Sequence, residues 1–219
     1  MTKWRGVLLQ GAFHVLYHQA AWVYDAVSFV VSLGRWQAWG EASLAFLPGP
    51  RVLEVGHGPG HLLAALAAGG WWAVGVDLSP QMGRLARRRL GGRGTAARLA
   101  RGRGQALPLA AGAFDGVVAA FPAPYLLEAA TLRAIRRVLR PGGRLVVVAE
   151  AELTGAGRAA RLVEWLWAIT RLRGGAEKGV ARGGGRWGEI LAGAGFTVTV
   201  HAVAQPGSRV TVVVGERVS

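Results

Sequence analysis

Residues 52–60 read VLEVGHGPG, an apolar run that breaks into three glycines spaced two apart, with an acid just ahead of them. Val52, Leu53 and Val55 give the run β character, while Gly56, Gly58 and Gly60 let the backbone take positive φ and come close to a ligand. Residues 61–68 then carry a helical pattern, and a second apolar strand at 72–76 ends in Asp77. In a nucleoside-binding α/β unit an acid about 20 residues after the glycines stands at the tip of the neighbouring strand, where it accepts hydrogen bonds from the ribose hydroxyls. The combination points to an open α/β sheet with a nucleoside site.

The loop also says which nucleoside. A dinucleotide pattern GxGxxG asks for its third glycine at position 61, where this chain has His61, and turns a helix N-terminus toward a pyrophosphate. Here the third glycine comes one residue early, and Glu54 repels a phosphate but suits an ammonium group. S-adenosylmethionine meets both conditions, with an adenosine, no phosphate and a positive amine. At this point the chain resembles the class I S-adenosylmethionine-dependent methyltransferases. The resemblance continues through VGVDLS (74–79), Met82, ALPL (106–109), FDGVVAAF (114–121) and LRAIRRVLRPGGRLVVV (132–148). It implies S-adenosyl-L-methionine as cofactor and S-adenosyl-L-homocysteine as product. The cofactor site it implies consists of Tyr24, Glu54, Gly56, His57, Gly58, Gly60, Asp77, Leu78, Met82, Gly104, Gln105 and Ala120.

Residues 24–39 resemble, more narrowly, the methyltransferases of ubiquinone and menaquinone biosynthesis. Tyr24-Asp25, Ser32-Leu33-Gly34 and Trp39 match the spacing of their pattern YDxxNxxxSxGxxxxW. This resemblance implies that Tyr24 lies over the methionine end of the cofactor and helps to close the pocket. The departures are Ser28 for the family's Asn, Trp36 for its later His, and FPAPYLL (121–127) for the GLRN motif that faces the acceptor. Arg103 also stands where many relatives place an adenine-binding Asp, which leaves the adenine to Gln105 and the local backbone. Fold and cofactor therefore carry over better than a quinone acceptor.

A chain of 219 residues is expected to make one domain, long enough for a doubly wound core. Cysteine is absent, which excludes disulfides and thiolate catalysis. The net charge of +14 invites an anionic partner. Against that, Lys occurs only at positions 3 and 178 and Asn is absent, the mark of a GC-rich, thermophile-like composition that accounts for the charge equally well. No secretory pattern opens the chain, and the longest nearly uncharged apolar stretch, 26–33, falls far short of the roughly 18 to 20 residues a membrane span needs. The expectation is a cytoplasmic protein, peripheral at the inner membrane face if it meets a membrane.

The expected fold class is α/β: a Rossmann-like seven-stranded doubly wound sheet, mostly parallel with the last strand antiparallel, under an N-terminal helical cap. Residues 1–50 make the cap or lid, with helices at 7–24 and 25–47. Residues 51–219 make the methyltransferase domain, with a helical insertion at about 154–186. Beyond the first two strands, the pattern places strands at 97–100, 114–121 and 144–149 and helices at 80–90 and 128–139. An amphipathic helix at 158–171 carries Leu162, Trp165, Leu166 and Ile169 on one face. A glycine-rich loop at 174–186, a helix at 187–194 and a hairpin of 196–203 with 209–214 close the chain.

Methyl transfer asks little of side chains, because the sulfonium is already a good leaving system and the enzyme mainly aligns the acceptor and excludes water. An amine, phenol or enol must still lose a proton, and His14, His18, Tyr125 and Glu128 are able to take it; the first three are the catalytic candidates. His14 and His18 lie four apart on one helical face, yet without a third ligand nearby they read as lining the acceptor pocket with Tyr17, and no metal site is expected. His57 reads as shaping its loop. Trp4, Trp22, Trp36, Trp39, Trp165, Trp167 and Trp187 all fall outside the central motifs, where they pack helices, wall an apolar acceptor site or anchor at a lipid interface.

Three functions fit. The leading one is methyl transfer to a small apolar or lipid acceptor, a phospholipid amine or a quinone-like ring, with peripheral contact to an anionic membrane. An RNA methyltransferase drawing on the arginine surplus comes second and calls for a basic groove. Binding of S-adenosylmethionine without catalysis is the third. The sequence does not specify an oligomeric state.

Overall fold

The computed structural model describes residues 32–92, 97–154 and 180–218. The helix expected at 7–24 and the amphipathic helix at 158–171 lie outside the described residues. Among the described residues the sheet has seven strands: β1 (Arg51–Val55), β2 (Trp72–Asp77), β3 (Arg98–Arg101), β4 (Phe114–Ala120), β5 (Leu139–Leu153), β6 (Phe196–Gln205) and β7 (Ser208–Arg217). Their order is β3-β2-β1-β4-β5-β7-β6. Strands β1 to β5 pair in parallel, and β7 runs antiparallel to both β5 and β6. The described helices are α1 (Trp36–Glu41), α2 (His61–Ala68), α3 (Pro80–Gly91), α4 (Ala129–Val138) and α5 (Val180–Gly193), with short 3-10 turns at Leu44–Phe46 and Pro124–Leu127.

The central strands are apolar on both faces because helices cover both. Neighbouring residues on a strand point to opposite sides, so β4 sends Val117 into one core and Val118 into the other. On the first side Val117, Ala119, Leu145 and Val147 meet Leu132, Ile135 and Val138 of α4 and Leu191 of α5. On the second, Val52, Val118, Val146 and Val148 meet Trp39 of α1 and Leu62, Leu63 and Leu66 of α2. Each such fully buried side chain contributes about 1.5 to 3 kcal/mol. Asp115 pins the far rim of the sheet, accepting the backbone N–H of Arg51 at 2.9 Å and pairing with Arg140 at 2.6 Å.

The expected α/β class, doubly wound sheet and antiparallel last strand are all present. Three differences go beyond a few residues at an element's end. The stretch 25–47 is not one helix: Leu33 and Gly34 take left-handed φ values of 51° and 77°, breaking the chain before α1. Ser32 then accepts the N–H of Trp36 at 3.0 Å, which starts α1, and the indole of Trp39 donates to Ser208 at 3.0 Å, which docks it on the hairpin. Strand β5 runs from Leu139 to Leu153 where the pattern placed 144–149, because β4 already pairs with Leu139 and β7 keeps pairing as far as Leu153 opposite Ser208. Helix α5 begins at Val180, inside the segment that reads as a glycine-rich loop; packing of Leu191 in the core outweighs the poor helix propensity of its glycines. No helix among the described residues is long and apolar enough to cross a membrane.

Candidate active site

The chain leaves β1, steps outward to β2 and β3, and returns to β4 on the other side of β1. The loops leaving β1 and β4 therefore part at the carboxyl ends of these strands, the place where open α/β sheets bind ligands. The glycine loop fills the β1 side. Its first N–H, on Gly56, donates to Val76 O at 2.7 Å, and Gly60 closes the turn by donating to His57 O at 2.9 Å. Gly60 is left-handed at φ 81°, and a Cβ there would stand 2.8 Å from the Cβ of Ala86; glycine is what lets α2 and α3 approach. A Cβ at Gly58 would meet nothing within 4 Å.

Two acids flank the loop. Asp77, buried at the tip of β2, accepts the N–H of Gly58 on Oδ2 at 2.9 Å and that of Ser79 on Oδ1 at 2.8 Å. It thus fixes the loop. Beside it Leu78 is 46% exposed. Glu54, on β1, is only 3% exposed, and its Oε2 has no hydrogen-bond partner. Burial pushes its carboxyl well above the usual range, the charge of Asp77 adds to this, and a backbone hydrogen bond with Leu63 opposes it. A buried carboxyl with an orphaned oxygen is the group an arriving ammonium would satisfy.

His57 is buried with Nδ1 2.7 Å from the carbonyl of Gly58, so that nitrogen carries the proton in this arrangement. Burial lowers its pKa, and the charge of Asp77 and backbone hydrogen bonds resist the drop. The ring is a neutral spacer under the loop.

On the β4 side, Ala120 ends the strand and Phe121 takes φ 47°, a strained conformation for a bulky residue and one that clusters at functional sites. Its ring lies 4.3 Å from that of Trp36 and 6.1 Å from that of Trp39, making an aromatic wall. The 3-10 turn that follows carries Tyr125, whose hydroxyl would be 2.6 Å from a Cβ on Gly56 and whose Cε2 would be 2.8 Å from one on Gly104. Burial, then the charges of Asp77 and Glu54, push its phenol up to about 12, so it keeps its proton at neutral pH.

Glu54, Gly56, His57, Gly58, Asp77, Gly104 and Tyr125 are thus brought together at the glycine loop, Gly60 packs against Ala86, and Leu78 and Ala120 stand at the carboxyl ends of β2 and β4. Gln105 turns its amide to Glu128 at 2.8 Å. Met82 has no exposed surface; it sits on the inner side of α3, its N–H reaching Ser79 Oγ at 3.4 Å. His14, His18 and Tyr24 lie outside the described residues. Sequence reasoning missed Phe121 as part of the wall, though β4 ending on an aromatic before a Pro-Ala-Pro run was a usable signal.

Residues 52–143 match the family model described as a methyltransferase domain. The chain carries a methyltransferase domain. It is similar to demethylmenaquinone methyltransferase of Mycolicibacterium paratuberculosis, with 37% identity over 130 residues, 57% of this chain and 53% of the relative. The chain spans about half the length of the curated relatives it matches. Its fold is similar to that of a Methanococcus maripaludis protein assigned to the S-adenosyl-L-methionine-dependent methyltransferases, with TM-score 0.67 and 15% identity over 93% of this chain and 94% of that one. Geranyl diphosphate methyltransferase, solved with GPP and sinefungin, aligns with TM-score 0.59 and 18% identity over 83% of this chain and 78% of its own. The methyltransferase domain has the class I S-adenosylmethionine-dependent methyltransferase fold.

Proposed function

We propose that this domain transfers a methyl group from S-adenosylmethionine to a small apolar acceptor of quinone or lipid type. The observation that carries the cofactor is the presence, beside one glycine loop, of Asp77 and of the buried Glu54 carboxyl, whose Oε2 has no hydrogen-bond partner. Together they fit a ribose and a cationic amino-acid tail. When bound, the cofactor would supply a methyl group already activated on its sulfonium. The chain's own part is to hold and to exclude. Asp77 would orient the sugar while keeping the loop in shape, Glu54 would take the charge of the amine, and Leu78 with the backbone of Gly104 would border the base. Phe121 and Trp36 would present an apolar wall to the acceptor and keep water away, which raises the effective concentration of the reacting pair.

The relatives named demethylmenaquinone methyltransferase and the geranyl diphosphate enzyme support an apolar acceptor. The charge distribution supports an anionic surface as partner. Between Leu78 and Phe114 the chain has eight arginines and no acid, and the structure exposes Arg84, Arg87 and Arg88 on α3 beside Arg98 and Arg101 on the edge strand β3. Trp72, 38% exposed at that edge, has Arg51 and Arg98 over its ring at 5.2 and 4.7 Å, which leaves it poorly placed to stack a nucleic-acid base. An anionic lipid surface suits this edge better than RNA does.

The test is an incubation of the protein and methyl-labelled S-adenosylmethionine with separate quinone, phospholipid and RNA fractions. Label is expected in the quinone or phospholipid fraction, and Trp36→Ala is expected to raise KM for that acceptor several-fold while S-adenosylhomocysteine binds as before. Label confined to RNA would overturn the acceptor reading.

A further inference from the structure

The cleft at the β1–β4 switch point is already filled by a side chain of the same molecule. Tyr125 reaches across it: its hydroxyl stands over Gly56, and its ring lies on Gly104. The cofactor reading gives these two glycines to the two ends of the ligand, Gly56 to the amino-acid tail and Gly104 to the base. A phenol ring and a nucleoside do not share that volume. The turn that carries the ring is itself anchored, because Leu126 is fully buried and Leu126 N–H and Glu128 N–H close it onto Ala123 O and Tyr125 O. Rotation of the Tyr125 side chain, with the turn left in place, is therefore the motion that opens the cleft.

We infer that Tyr125 is a displaceable plug, which closes the switch-point cleft and sets cofactor affinity through the free energy of swinging it out. The inference rests on the cofactor reading for the identity of the ligand, but not for the plug itself. The charges of Asp77 and Glu54 both bear on the hydroxyl. The phenol brings these acids no charge. A cationic tail serves them with a full charge, so a ligand of the proposed kind has the means to displace the ring.

The plug has a thermodynamic signature. If the open form is a fraction of the population, every ligand of the cleft loses affinity by that same fraction, whatever contacts it makes. Removing the ring then tightens all such ligands by one common factor. A tyrosine that served as a ligand contact would behave oppositely: its truncation would weaken binding, and by amounts that differ between ligands.

The experiment compares wild type, Tyr125→Ala and Tyr125→Leu, the last keeping apolar packing on the turn while losing the reach to Gly56. Calorimetry measures S-adenosylhomocysteine and 5′-methylthioadenosine, and hydrogen exchange without ligand follows the amides of residues 56–60 and 102–106. Both variants are expected to bind both ligands more tightly by one shared factor of about tenfold, with faster exchange in the two loops. Weaker binding in both variants, or loop exchange unchanged from wild type, would overturn the plug. Faster exchange in variants that, like wild type, bind neither nucleoside would leave the plug standing and remove the cofactor reading.

Discussion

Glu54 makes the ligand-free site unstable in a way that depends on pH. Its folded pKa is raised above the ordinary 4.5, chiefly by burial and then by Asp77. Its contribution to stability is thus full below that ordinary value and is lost as pH rises through the raised folded value. Glu54→Gln keeps the shape and removes the loss. The variant is expected to match wild type at pH 4 and to exceed it at pH 8 by roughly 1 to 3 kcal/mol in urea unfolding, the scale of one buried unsatisfied polar group. Equal stability at both pH values would show that the carboxyl is not strained by its burial. Glu54 could be singled out from sequence because its place ahead of the glycines is local. The position of Tyr125 over Gly56 could not, since it depends on how a turn after β4 folds back across the sheet.

Among the elements, the contact of α2 with α3 hangs on Gly60. Its left-handed φ of 81° costs a Cβ-bearing residue about 1 to 2 kcal/mol, and the 2.8 Å approach to Ala86 adds an overpacking penalty of about 1 to 3 kcal/mol. Gly60→Ala is expected to lower stability by roughly 2 to 5 kcal/mol in denaturant unfolding, and Ala86→Gly in that background to restore only the packing share. A loss under about 0.5 kcal/mol would contradict this account of the third glycine. Elements with an internal signal were legible: the strand-to-glycine turn at β1, Asp77 ending β2, and the Pro-Gly-Gly run before the apolar half of β5. Elements whose extent is set by distant partners were not. Strand β5 outruns its apolar stretch because β7 pairs with it, and 25–47 is not one helix because Leu33 and Gly34 turn the chain.

For the whole molecule, the order of the strands places the acids of β1 and β2 and the aromatic end of β4 around one cleft, and the arginines of α3 and β3 along one edge. The first arrangement was readable from motif order, because five motifs in register define the sheet. The second was not, since arginine is abundant throughout the chain and only the fold shows which arginines share a face. The central claim is that this cleft is a nucleoside site whose ribose is held by Asp77, and calorimetric titration of S-adenosylhomocysteine into wild type and Asp77→Ala tests it most directly. The account predicts a single site in wild type and a loss of roughly 2 to 4 kcal/mol in the variant, the worth of a charge-assisted hydrogen-bond pair. Unchanged affinity in Asp77→Ala, or tight binding of NAD to the wild-type protein, would contradict it.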